Sequence, residues 1–291
     1  MMNFDSMIRE IKGMDLNLYD FALYTGDQIH THRFQPSNRC NDSYSVAKAF
    51  VVTAIGLLWD AGRLNVTDSL YEILRDDFPN DADPGWRLAT VEHAMTHRLG
   101  FDRGFLDIDQ EEIGVSDGED YLQIVLRHPL AYMPGFHQQY SDAAFYLLSR
   151  VIARIAGENI DSLLLRQIFK PMEFREVAWS RCPLEYPIAA TGLYISSEDM
   201  VKLGALYLNG GVWKGRRLLS QAWVDKTLAN EYEFHAMLPS GLIGKGGLYG
   251  QALVFSRERG FAAAWHGYEP GDRPKQLIDY LDAMCGSTSC L

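Results

Sequence analysis

Positive charge is scarce in this chain of 291 residues: 27 Lys and Arg stand against 38 Asp and Glu, a formal net charge of −11. A broad basic face for nucleic acid or for an anionic membrane surface is thereby excluded, since both need clustered cations. Cysteine is scarce as well. The four present, Cys40, Cys182, Cys285 and Cys290, show no C-x-x-C spacing, so no zinc-type ligand set is expected and reduced thiols are the default. A membrane span needs roughly 20 apolar residues, and the longest apolar run, around residues 49–59, falls short of that. The opening, MMNFDSMIREIKGMD, has no basic start followed by an apolar stretch. No secretory signal is read there, and a cytoplasmic setting is expected. Against these absences the chain is 47% apolar and 12% aromatic, enough to bury a core and to exclude disorder as its main state.

Strand and helix signals succeed one another along the chain. Residues 16–24 and 28–34 read as two short strands around Thr25-Gly26-Asp27, a hairpin signal. Helical patterning follows over 45–63, with Gly62 where a C-cap falls, and then over 90–97, 120–128, 141–156, 161–169 and 197–208. Gly100, Pro129, Gly157, Pro171 and Asn209-Gly210-Gly211 supply the stops. Strand texture returns at 246–255 and 261–265, a last helix is read at 275–284, and the tail 286–291 looks loose. Strands at both ends with helices between predict an α+β fold: an antiparallel sheet built from both chain termini and flanked by helices, with a large, mainly helical insert. The division expected is 1–65 and 180–291 for the sheet region and 66–179 for the helical region, with an active site at their interface.

Three stretches carry residues able to do chemistry. Ser45-Val46-Ala47-Lys48 is the only S-x-x-K in the chain, and at i and i+3 on a helix its hydroxyl and amine share a face. In a first turn the hydroxyl also gains unpaired backbone N–H groups that favour an oxyanion, while the amine serves as base only where burial weakens its hold on a proton. Tyr140-Ser141-Asp142 follows the turn signal Pro134-Gly135 and precedes a helical pattern, so Tyr140 can point from a loop into a cleft and relay a proton. Tyr207-Leu208-Asn209 has similar spelling but reads as packing followed by a C-cap. Lys245-Gly246-Gly247 opens a strand, where two glycines let a ligand approach the backbone and a lysine supplies fixed charge for a substrate carboxylate. Lys202-Leu203-Gly204 lies inside a helix and cannot present a strand edge. Each motif alone has a plainer reading: a chance S-x-x-K, a packed aromatic, a solvated loop lysine.

The order of these three motifs and the text around them resemble the serine β-lactamase and penicillin-binding-protein superfamily, in particular its class C-like hydrolase branch of esterases and D-aminopeptidases. The likeness covers most of the chain. TVEHAMTHRLGF (90–101) resembles that branch's threonine-histidine helix and loop, 134–156 its second-motif segment, 191–224 a stretch typical of these hydrolases, and GKGGLYGQALVF (244–255) its third-motif strand. The resemblance implies a β-lactamase/transpeptidase-like fold and a serine hydrolase that works through an acyl-enzyme without metal or cofactor. Carried over by position, it implies Ser45 as nucleophile, Lys48 as its proton acceptor and Tyr140 as proton relay to the leaving group and from the hydrolytic water. Lys245 would orient the substrate beside Gly246, Gly247 and Leu248, and the N–H groups of Ser45 and Leu248 would form the oxyanion hole.

Two departures from the family pattern matter. The second motif ordinarily ends in Asn, and Asp142 stands in that place. An ionised Asp only accepts hydrogen bonds, and a carboxylate beside Lys48 opposes that lysine's work as base, so Tyr140 is expected to carry more of the base role. The bridge 222–241 is also short for the family, which reduces the cleft wall. Small esters are the substrates expected first. β-Lactams, amides and D-amino-acid peptides are the alternatives, with Asp142 able to hold a substrate ammonium, and a catalytically silent binding protein on the same fold is the reading from another class. His93 and His97 stand at i and i+4 with no third ligand in view, so no metal is expected there.

Overall fold

A computed structural model gives the structure of the protein and describes residues 3–111, 120–238 and 241–286. The chain divides into two compact units, one from Met1–Val46, Phe174–Val177 and Tyr194–Leu291, the other from Ala47–Glu173 and Ala178–Leu193.

The first unit is organised by a six-stranded antiparallel sheet of β1 (Leu18–Thr25), β2 (Gln28–Arg33), β3 (His235–Ala236), β4 (Ile243–Gly246), β5 (Ala252–Ser256) and β6 (Phe261–Gly267), in the order β2-β1-β6-β5-β4-β3. The start of the chain pairs with its end: Phe21 lies opposite Trp265 and Leu23 opposite Ala263. The fold is therefore the mixed helix and antiparallel-sheet class expected. β1 turns into β2 through Gly26 and Asp27, both at positive φ (56° and 62°), the backbone that a two-residue hairpin with correctly twisted strands requires. On one face, Met7, Ile8 and Ile11 of helix Phe4–Gly13 and Leu277 and Leu281 of helix Lys275–Gly286 cluster with Phe21, Val254 and Trp265. Each such side chain contributes about 2 kcal/mol by leaving water. Helix Phe4–Gly13 is absent from the sequence reading. Phe4, Met7, Ile8 and Ile11 nevertheless follow helical spacing on one apolar face, and the start is set by Asn3 accepting from the Ser6 N–H.

The sequence reading of 246–255 as one strand is corrected. The chain turns at Leu248–Gly250, with Tyr249 at φ 59° and Gly250 at φ 87°, so that β4 and β5 are antiparallel neighbours with Gly246 opposite Ala252. A glycine-rich run offers no alternation of apolar side chains to hold a strand straight, and Gly250 makes the reversal inexpensive.

The second unit is helical. Ala47–Asp60 is buried without break from Ala47 to Gly56 and so reads as apolar all round. Asp142–Ala156 ends on Gly157 in the left-handed region at φ 75°, and the short helices Val91–Met95 and Tyr121–Arg127 start on Thr90 and Asp120 caps. Among the described residues no helix is long and apolar enough to cross a membrane. Cys40 and Cys182 are free thiols, whereas the tail 287–291, with Cys290, lies outside the described residues.

His266, in β6, is wholly buried, and burial pushes its imidazole down from 6.5 to about 4. A base whose folded value is depressed binds its proton first in the unfolded chain, so its stabilising effect is complete above 6.5 and is lost as pH falls toward about 4. Across that window the loss is on the order of 3 kcal/mol. The acid-side fall in stability is expected to be shallower in His266→Leu than in the natural protein, as read from denaturant unfolding at pH 7, 6 and 5.

Candidate active site

In the helical unit the decisive group is Lys48. Its side chain is fully buried, and Nζ lies 2.7 Å from Asp142 Oδ1 and donates to the Ala190 carbonyl at 2.9 Å. Helix Ala47–Asp60 brings the lysine, and Asp142 is the first residue of helix Asp142–Ala156, so the ion pair joins the starts of the two central helices. The ammonium also stands 4.8 Å from the Tyr140 ring centre and 5.8 Å from that of Phe145, within cation–π range. Tyr140 itself is 46% exposed. A phenol that faces solvent on one side and an ammonium on the other can exchange protons with a bound molecule.

The tyrosine is held by His97, whose ring centre lies 4.3 Å from its own. The His97 carbonyl accepts from the Gln139 N–H at 2.8 Å, and its Nδ1 accepts from the Ser141 N–H at 3.2 Å. That second bond places the ring proton on Nε2. His97 takes φ 55° to do this, strained backbone that persists where surroundings over-determine it. Asp109 belongs to the same environment. Burial raises its carboxyl above the usual range, a hydrogen bond from Thr191 lowers it, Asp107 and Asp142 raise it and Lys48 lowers it.

In the sheet unit, Ser45 sits on a 3-10 turn, Tyr44–Val46, that leads straight into helix Ala47–Asp60. Tyr44 is at φ 48°, its N–H held by Asp42 Oδ1 at 2.8 Å. The third motif packs on this turn. A Cβ on Gly247 would lie 2.5 Å from the Ser43 carbonyl oxygen and 3.2 Å from Tyr44 Cβ, whereas one on Gly246 would meet nothing nearer than 3.9 Å. The rings of Tyr44 and Tyr249 stand edge to face at 5.5 Å. Lys245 is not a solvated loop lysine: it is 7% exposed and ion-paired with Glu233.

The structure thus brings Lys48, Tyr140 and Asp142 together in one unit; in the other, Gly247 packs on the turn that carries Ser45, with Lys245 and Gly246 ending β4 and Leu248 on the turn that follows. The chain itself carries Ser45 one helical turn from Lys48. Sequence reasoning missed His97 as the support of Tyr140, Asp109 beside the ion pair, and Glu233 on Lys245. Glu233 lies in the bridge 222–241, which the sequence marks only as short; residues 239–240 of it lie outside the described part. His93 caps a helix, accepting from the Thr90 N–H, and among the described residues no group of three or more His, Cys, Asp and Glu gathers as a metal site. A G-x-S-x-G spelling, G-V-S-D-G at 114–118, also escaped the sequence reading. It too lies outside the described residues, and the antiparallel sheet is not the setting of a nucleophile elbow.

The beta-lactamase family model matches residues 37–276. The chain belongs to the beta-lactamase family, a family of serine hydrolases. Its curated relatives include PbpX of Bacillus subtilis, a protein named for penicillin binding, 24% identical over 68% of this chain and 49% of that one. Esterase EstB of Burkholderia gladioli is 27% identical over 45% of this chain and 36% of the esterase. The chain therefore spans half or less of the length of these relatives. Among solved structures, a penicillin-binding protein homologue from Caulobacter crescentus superposes with a TM-score of 0.77 at 17% identity, covering 96% of both chains. A family VIII carboxylesterase does so with a TM-score of 0.73 at 14% identity, over 97% and 96%. Both similarities are of fold.

Gly246, the last residue of β4, and Gly247 just beyond it are expected to differ sharply. Gly247→Ala forces a methyl onto a backbone carbonyl and is expected to cost about 1–3 kcal/mol. Gly246→Ala has room and is expected to stay within about 0.5 kcal/mol of the natural protein. Denaturant unfolding of both variants checks the contrast.

Proposed function

We propose that this protein is a serine hydrolase of small esters, working through an acyl-enzyme on Ser45. The observation that carries the reading is the placement of Ser45 on a turn one helical step ahead of a lysine that is fully buried and ion-paired. In the proposed reaction the Ser45 hydroxyl attacks the ester carbonyl as the phenolate form of Tyr140 takes its proton. The N–H groups of Ser45 and Leu248 receive the oxyanion, as the packing of Gly247 on the Ser43–Tyr44 backbone supports. Tyr140 then protonates the departing alkoxide; the phenolate so formed takes a proton from water, the hydroxide attacks the acyl-enzyme carbonyl, and the phenol returns the proton to the Ser45 oxygen as the acid leaves. The Lys48 ammonium stands against the Tyr140 ring, its charge compensated by Asp142.

An esterase reading is favoured over a D-aminopeptidase because Asp142, the group that would capture a substrate ammonium, is occupied by Lys48. The esterase EstB and the family VIII carboxylesterase among the similar proteins support the same choice. β-Lactamase, amidase and D-peptidase action are the neighbouring activities, and a silent binding protein is the competing class.

A fluorophosphonate probe followed by mass spectrometry is expected to give a single adduct on Ser45 that disappears in Ser45→Ala. p-Nitrophenyl acetate is expected to be hydrolysed faster than nitrocefin or a D-alanyl amide, with kcat lowered by about a thousandfold or more in Ser45→Ala. A folded protein that takes up no probe would point to the binding protein instead.

A further inference from the structure

The third-motif lysine has a partner inside its own unit, and that partner is built in. Lys245 and Glu233 form an ion pair with side-chain exposures of 8% and 1%. Glu233 takes φ 59°, a left-handed backbone that costs a side-chain-bearing residue about 1 kcal/mol or more. Its neighbours on both sides supply the compensation. Tyr232 and Phe234 are buried, the first against Trp223 with ring centres 6.1 Å apart, the second against Tyr207 at 4.4 Å and Phe255 at 5.6 Å. Immediately afterwards β3 pairs with β4, His235 opposite Gly244, which sets the carboxylate over the strand that carries Lys245. Five packed aromatics and a strand register thus fix one acidic side chain on one lysine.

The electrostatic consequence is specific. A lone buried ammonium attracts a substrate carboxylate; an ammonium already neutralised by a buried carboxylate does not, because a second negative charge would be desolvated beside the first. An uncharged group entering the same place meets a neutral pair and pays no such penalty. Lys48, the other lysine of the proposed site, is likewise paired with a carboxylate.

We infer that Glu233 sets substrate charge: the protein acts on acyl compounds that carry no carboxylate next to the reacting ester and discriminates against those that do. This rests on the acyl-enzyme reading above and narrows it to uncharged esters.

The test uses two boronic acids that capture a serine nucleophile reversibly, phenylboronic acid and 3-carboxyphenylboronic acid, each competing with fluorophosphonate labelling of Ser45. In the natural protein the carboxylated probe is expected to protect Ser45 less well by about tenfold. In Glu233→Gln that gap is expected to close or reverse. Equal or stronger protection by the carboxylated probe in the natural protein overturns the inference, and so does an unchanged gap in Glu233→Gln. The first comparison decides alone if Glu233→Gln does not fold, as read from its melting curve. Failure of Ser45 to label in folded natural protein removes the acyl-enzyme reading itself, and this inference with it. A labelled Ser45 without charge discrimination removes only the inference.

Discussion

A lysine ammonium and an aspartate carboxylate, 2.7 Å apart and sealed from water, constrain everything proposed for the helical unit. Taking either charge out of water alone costs several kcal/mol, and only good geometry with further hydrogen bonds returns it. Here the Ala190 carbonyl adds a bond to the ammonium, and the Tyr140 and Phe145 rings border it. Helices Ala47–Asp60 and Asp142–Ala156 must then start side by side, because separating them would strand a buried charge on each. In the proposed reaction the same pair matters chemically: with its ammonium compensated by Asp142, Lys48 would work as a fixed electrostatic element, and the mobile proton would fall to the half-exposed Tyr140.

The sheet unit repeats the device. Lys245, which motif reasoning treats as a cation available to a substrate, is neutralised by Glu233. Each key lysine thus faces a buried carboxylate, in a chain already rich in negative charge. On the proposed reading such a protein would favour substrates by shape and by the polarity of a reacting carbonyl, and derive little from attracting anions. Uncharged esters fit that description better than β-lactams or peptides with free carboxylates.

Much of this was legible in the sequence, for identifiable reasons. Ser45, Lys48, Tyr140 and Lys245 declared themselves through short spacings that local structure preserves: a helical turn, a loop before a capped helix, a lysine at the edge of a glycine pair. Asp142 stood out as an acid where the family resemblance expects an amide. The hairpin at Gly26-Asp27 and the stop at Gly157 were readable because left-handed backbone selects few residues. What escaped depends on tertiary packing. Glu233 reaches Lys245 because five aromatics and a two-residue strand put it there, and no spacing announces that. His97 supports Tyr140 across 43 residues of chain, and the turn at Leu248–Gly250 splits a stretch whose composition alone suits a continuous strand.

The central claim is that the Asp142 carboxylate acts on the neighbouring group that takes the Ser45 proton. The pH dependence of kcat/KM for p-nitrophenyl acetate, compared between the natural protein and Asp142→Asn, tests it most directly. Removing the carboxylate's charge disfavours the protonated form of whichever neighbour is the base, so the acid limb of the Asp142→Asn profile is predicted to move to lower pH by about one unit. Superimposable acid limbs in the two proteins would contradict the account.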